Sequence, residues 1–214
     1  DRATRFGSAV HDILEKLANR RWPRELDRNL VTDCLSARGF DPDDSERIGL
    51  ATRFVEGFLG SDLGSRVREV ENSAELPLII RVGGVTIRGF ADLILDSEPP
   101  MVLDYKTNRL DGRTPAQKMG SYELRRRLYS LGGARSGGSG TVESAFVFLE
   151  EPTNPVLEPF GAADLADAEA RVEDTLTDIT EGRFFGGPQA VNQPCGQCWA
   201  CETLSAQRER ALAG

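Results

Sequence analysis

The sequence predicts an α/β (α+β) domain with one central mixed β-sheet flanked by helices, an N-terminal helical part over 1–72 and a cysteine-bearing tail over 186–214. Three observations predict it. Apolar residues recur at helical spacing through the first third of the chain. The texture then changes to short apolar runs separated by Gly and Pro turns. A helix, further strands and a last long helix follow. That order suits helices packed on a single sheet. At 214 residues the chain is long enough for one sizeable core, so 1–214 reads as a single domain with its core over 73–185.

Phe6, Val10, Ile13, Leu14 and Leu17 fall on one helical stripe, which predicts a helix over 4–20 with His11 and Glu15 beside that stripe. Asp43, Asp44 and Ser45 offer N-cap chemistry for a second helix carrying Ile48, Ala51, Phe54, Val55 and Phe58. A short helix over 62–69 precedes the change of texture. Glu75 to Val82 and Val85 to Asp96 are strand-like, and Gly83-Gly84 between them suits a two-residue hairpin turn. Ser97 to Pro100 makes the next turn, and Met101 to Thr107 the third strand. Thr114 as cap and Pro115 at the first position begin a helix reaching about Leu131. Gly132 to Gly140 has the composition of a flexible linker. Strands over 142–149 and 155–160 and a helix over 162–181 complete the core.

Composition narrows the function. A net charge of −8 argues against a generally sticky nucleic-acid binder, because such affinity comes largely from Lys and Arg on phosphates. Any DNA contact must be local, and two stretches qualify: Arg125-Arg126-Arg127, and Lys106, Arg109, Arg113 and Lys118. Solvated helix and loop charges are the plain alternative. No apolar run approaches the roughly 20 residues of a membrane span. The first residues carry no apolar signal core. The expectation is an intracellular, cytoplasmic protein of bacterial type, cut from a longer polypeptide.

The chemistry concentrates in Gly89-Phe90-Ala91-Asp92 and Asp104-Tyr105-Lys106-Thr107. Strand periodicity puts Asp104 and Lys106 on one face and Leu103 and Tyr105 on the other. The turn at 97–100 folds the preceding strand back, which brings Asp92 towards Asp104. Two carboxylates supply hard oxygen ligands for Mg²⁺ or Mn²⁺. Such a cation acidifies a bound water and stabilises charge on a phosphate, and a lysine beside it assists. A cross-strand salt bridge is the structural alternative, worth about 0.2–1 kcal/mol.

These residues resemble the core of RecB-type and AddB-type nucleases of the PD-(D/E)XK superfamily, where G-x-x-D is followed by D-Y-K-T. Gly7 to His11 resembles the family's upstream G-x-x-x-H helix. The resemblance implies a restriction-endonuclease-like core. It implies a metal held by His11, Asp92, Asp104 and the Tyr105 carbonyl, with Lys106 as catalytic base or electrostatic helper and Glu75 auxiliary. It also implies that Tyr122 and Tyr129 lie in a DNA-positioning helix. A glutamine is usual four residues before the second tyrosine, and here Arg125 stands at that place. An arginine there offers a bidentate phosphate donor. The implied activity is a metal-dependent DNA exonuclease. It would act on single-stranded DNA or DNA ends, beside a helicase in the same polypeptide or complex, in recombination and repair. A non-catalytic DNA-binding or assembly module is the rival reading.

Cys195, Cys198 and Cys201 form C-x2-C-x2-C, which can converge on an iron–sulfur cluster; zinc, or simply reduced cysteines, are the alternatives. Some RecB-like relatives carry a four-cysteine 4Fe-4S staple whose fourth cysteine precedes the G-x-x-x-H helix. Here Cys34 follows His11, and as a lone cysteine near apolar residues it also suits simple packing.

Overall fold

The computed structural model describes residues 2–181 apart from Arg24 and Ser139. The chain divides into two compact units, Asp1–Glu173 and Asp174–Gly214. The first holds four helices, α1 (Arg2–Asn19), α2 (Arg28–Ala37), α3 (Ser45–Leu59) and α4 (Asp62–Glu69), and then the sheet. Asp44 caps α3 by accepting from the Arg47 N–H, as its position predicts. Sequence reading passed over α2, although its signal was present. Asp27 accepts from the Asn29 N–H, and Leu30, Val31, Cys34 and Leu35 then follow at helical spacing and are buried.

The sheet runs β1 (Asn72–Val82), β2 (Val85–Leu95), β3 (Met101–Lys106), β4 (Val142–Phe148) and β5 (Val156–Phe160), in that spatial order. All neighbours are antiparallel except β3 and β4, which are parallel. A parallel pair needs a long crossover. It is made by α5 (Pro115–Lys118), a 3₁₀ turn (Met119–Tyr122) and α6 (Glu123–Gly137). Thr114 and Gln117 form a reciprocal capping box at its start. The single helix expected to Leu131 is thus broken by the 3₁₀ turn. The final helix, α7 (Ala162–Thr180), begins in the first unit. No helix among the described residues is long and apolar enough to cross a membrane.

The linker expected from Gly132 is corrected: α6 continues to Gly137, where Gly138 with φ 61° ends it. Its glycines serve close packing. A Cβ on Gly133 would lie 2.1 Å from Val102 Cγ2, and one on Gly132 would lie 2.9 Å from Leu78 Cδ1. Helix–sheet contact at that distance overrides glycine's weak helix propensity.

The sheet separates two apolar layers. Leu93, Leu95, Met101, Leu103, Tyr105, Ala145 and Val147 pack under the N-terminal helices. Leu78, Ala91, Val102, Ala134, Val142 and Phe160 pack on the opposite side with α6. Every residue of β3 is buried.

Candidate metal centre

The site forms where β2 leaves β3. The two strands pair only from Leu93↔Leu103 to Leu95↔Met101. One rung further, Asp92 stands opposite Asp104 and the backbone ladder stops. The Tyr105 N–H then has no strand partner there, and a buried N–H needs one. Asp92 Oδ2 accepts from it at 2.7 Å. β3 meanwhile stays paired to β4 through Lys106↔Phe148, so Asp104 and Lys106 are held on a firm strand at an open fork.

The same rung is irregular on the β1 side. Ala74↔Leu93 and Leu76↔Ala91 are paired, and Glu75 between them has φ 49°. A left-handed conformation costs a non-glycine residue about 1–2 kcal/mol. Its consequence is visible in the core. Ala74 and Leu93 belong to the layer under the N-terminal helices, whereas Leu78 and Ala91 belong to the α6 layer. The ribbon exchanges faces across the Glu75–Asp92 rung, and the two carboxylates share the crossover point.

Helix α1 brings the imidazole. A Cβ on Gly7 would lie 2.8 Å from Thr107 Oγ1, so glycine lets the helix rest against the end of β3. His11 is one turn later on the same helix face. Its Nδ1 lies 3.4 Å from Asp92 Oδ1, and its ring meets Tyr105 edge-on with centroids 6.1 Å apart. One ligand atom each from His11, Glu75 and Asp92 lies within 4.8 Å of the others. Donors around one Mg²⁺ or Ca²⁺-sized ion, at about 2.0–2.6 Å from it, lie within about 5 Å of each other, so this donor set fits a hard divalent cation.

Asp104 stands beside this trio and pairs with Lys106. The contact joins Lys106 Nζ to Asp104 Oδ2 as a buried ion pair. Asp104 is 2% exposed and Lys106 4%. The ammonium also lies 5.0 Å from the Tyr122 ring centre and 5.4 Å from that of Phe146. Burial, then the charge of Asp92, pushes the Asp104 carboxyl up to about 6 against the pull of Lys106. Burial lowers the Lys106 amine, with Asp104 opposing. Burial and the nearby charges of Asp92 and Glu15 raise Glu75. For His11, burial acts downward but is outweighed by the hydrogen bond and charge of Asp92, so the imidazole is raised. Crowded carboxylates with raised pKa values are the electrostatic signature of a place that favours a cation.

The other expected residues lie around this centre. Tyr122 donates from its hydroxyl to Asn108 Oδ1 at 3.1 Å. Burial first, then the charges of Asp104 and Asp92, holds the Tyr129 phenol up at about 12. The arginine run splits. Arg126 pairs with Glu123 and Glu158, and Arg127 with Glu123 and Asp167. Arg125 is exposed, has no ion pair among the described residues, and its charge reaches Asp104 and Lys106. Lys118 is tied to Asp111 at 3.1 Å. Sequence reasoning missed Asn108, whose signal was a polar residue directly after the D-Y-K-T run. Cys34 is buried in the helical core and accepts from Lys16 Nζ at 3.3 Å, while burial raises its thiol pKa. Cys195, Cys198 and Cys201 lie outside the described residues.

The sequence model of the PD-(D/E)XK nuclease superfamily matches residues 1–203, and the chain belongs to that superfamily. Its mixed five-stranded sheet with flanking helices is consistent with the restriction-endonuclease-like core. No curated protein matches. Among solved structures, the chain titled "Crystal structure of SSO0001" is similar at 18% identity, covering 78% of this chain and 74% of that one, with a TM-score of 0.34.

Proposed function

From membership of that superfamily, we propose a divalent-metal-dependent deoxyribonuclease that acts as an exonuclease on single-stranded DNA or DNA ends. The observation that carries this reading is the fork. His11, Glu75 and Asp92 gather within 4.8 Å, and the Asp104–Lys106 pair lies on the adjoining strand. Nucleases of this superfamily use Mg²⁺ or Mn²⁺. Such a cation, when bound, supplies Lewis acidity and a more acidic water.

The residues have distinct tasks. His11, Glu75 and Asp92 would hold the cation, with Asp104 and the Tyr105 carbonyl as further candidate ligands. Lys106, whose amine burial holds below its ordinary range against the pull of Asp104, serves either as the base for the attacking water or as an ammonium that steadies charge on the phosphate. Arg125, exposed and without an ion pair among the described residues, grips a backbone phosphate. Tyr122 and Tyr129 flank the strand from the crossover helix.

The same reading takes a helicase, in the same polypeptide or a separate subunit, as the partner that delivers ends, in an intracellular setting of recombination and repair. Cys195, Cys198 and Cys201 would hold a 4Fe-4S cluster, with zinc as the other metal their spacing suits. A brown, visible-absorbing protein purified without oxygen supports the cluster, and a colourless one with stoichiometric zinc overturns it.

The test of the nuclease reading is degradation of end-labelled DNA in Mg²⁺ or Mn²⁺ by the native chain, Asp104→Ala and Lys106→Ala. Cleavage by the native chain alone is expected. A linear substrate degraded while a circular one survives identifies exonuclease action. Binding without cleavage in both metals would instead mark a DNA-binding module with an inert site.

A further inference from the structure

The β1–β2 ribbon extends well beyond β3. Past the Glu75–Asp92 rung, one of its faces packs on α6 through Leu78 and Ala91. The other face carries Pro77, Ile79 and Arg81 from β1 and Thr86, Arg88 and Phe90 from β2, and all of these are exposed. They stand in cross-strand pairs, Pro77↔Phe90, Ile79↔Arg88 and Arg81↔Thr86. Phe90 is 57% exposed and Ile79 66%, an unusual state for large apolar side chains so near a candidate active site.

We propose that this face, centred on Phe90 and flanked by Arg88 and Arg81, is a stacking platform for the bases of an unpaired nucleic-acid strand. The strand's backbone leads from there to the His11–Glu75–Asp92 cluster. The proposal rests on the nuclease reading above and deepens it by giving the bases of a single strand a binding place beside the cluster.

Three observations support it. The first is position. Phe90 precedes Asp92 by two residues on one strand, which is about 7 Å along the ribbon. A nucleotide held at the metal-ligand cluster therefore places a neighbouring base within reach of Phe90. The second is charge. The chain carries −8 overall, yet these six side chains include two arginines and no acid. Neither arginine has an ion pair among the described residues, so both are available to phosphates. The third is chemistry. Flat aromatic and guanidinium groups on an open strand face offer stacking to any base, but only to a base released from its partner. A duplex presents no free π-face on its flank.

The test measures affinity without cleavage, in buffer free of divalent cations. Fluorescence anisotropy is read for labelled oligothymidylate and for an abasic strand of equal length, with the full chain. Phe90→Ala should weaken oligothymidylate binding roughly 5–150-fold, the range for loss of one stacked base, and leave the abasic strand unchanged. Phe90→Tyr should restore binding. Arg88→Ala should weaken both strands alike and reduce the salt slope by about 1. If Phe90→Ala weakens both strands equally, or neither, the platform is wrong; the latter is also the result expected of a protein-docking face. Hydrolysis of bis-p-nitrophenyl phosphate in Mn²⁺ separates the two readings. If the native chain cleaves this small diester and Phe90 has no base-dependent effect, only the platform falls. Base-dependent binding without hydrolysis keeps the platform and removes the nuclease reading.

Discussion

The two faces of β3 are made from alternate residues of one short strand, yet they are organised on opposite principles. Met101, Leu103 and Tyr105 enter the apolar layer beneath the N-terminal helices. Val102, Asp104 and Lys106 alternate with them, and the last two are ionisable groups with 2% and 4% exposure. Desolvating such a pair costs several kcal/mol per ion unless good geometry repays it. Here the Asp104 carboxyl is pushed up to about 6 beside its own lysine. The pair is therefore a poor device for stability, and its place at the fork makes sense for chemistry. One face holds the strand in position, and the other uses that position.

Substitutions on the two faces should therefore separate activity from stability. The largest effect is expected from Lys106→Ala or Asp104→Ala. Metal-dependent DNA cleavage should fall on the order of 10²–10³-fold, as when a transition-state donor is removed. Thermal unfolding in the absence of metal should show the double variant Asp104→Asn with Lys106→Met no less stable than the native chain, whereas removing one partner alone leaves the other as a buried, unpaired charge. Leu103→Ala, one residue away, should do the reverse. Loss of a fully buried leucine costs about 2–5 kcal/mol, measured by urea unfolding, and the remaining folded protein should keep its specific activity. Equal stability losses on both faces would erase the distinction.

A smaller effect is expected where α6 meets the sheet. Gly133→Ala places a methyl group 2.1 Å from Val102 Cγ2, so the helix or the packed valine must shift. Overpacking of this kind costs about 1–3 kcal/mol. Because α6 also carries Arg125 and Tyr129, DNA affinity should weaken with it in the same anisotropy assay. Unchanged stability would mean that the glycines are not required for the contact.

That helix marks where sequence reasoning ran out. Gly132 to Gly140 has a linker's composition, and the reason for two of its glycines lies on two other elements: Leu78 of β1 and Val102 of β3 lie against them. Propensity counts only neighbours in sequence, whereas the contact is tertiary. The hairpin was legible because its determinants are local: Gly83 and Gly84 both take positive φ, as a two-residue turn requires. The site was legible in part. Alternation gave the shared face of Asp104 and Lys106, and the intervening turn gave the approach of Asp92. Glu75's left-handed backbone and the exchange of faces at its rung were not legible, since nothing in a glutamate's identity predicts φ 49°. Helix α2 was simply overlooked, with its Asp27 cap in plain view.

The subtlest contrast between the faces is in pH. Asp104 has a folded pKa raised from 3.8 to about 6, so the folded state binds its proton more tightly than the unfolded chain does. Its protonated form is favoured on folding, and that stability is lost as pH rises from about 4 through 6. Without divalent metal, the melting temperature of the native chain should decline over that window relative to Asp104→Asn, and run parallel to it above. A leucine-face variant such as Leu103→Ala should show the native pH profile, displaced downward. If Asp104→Asn and the native chain track each other from pH 4 to 7, the carboxylate is not in the strained state inferred for it.

In the proposed site a helix imidazole and the carboxylates of a broken strand rung share one cation. Pulsed electron paramagnetic resonance of the Mn²⁺-loaded chain tests it without reference to turnover. Modulation from a directly bound imidazole nitrogen is expected, disappearing in His11→Gln, with binding itself lost in Asp92→Ala. Bound Mn²⁺ that shows no nitrogen modulation, or a signal indifferent to both substitutions, would contradict it.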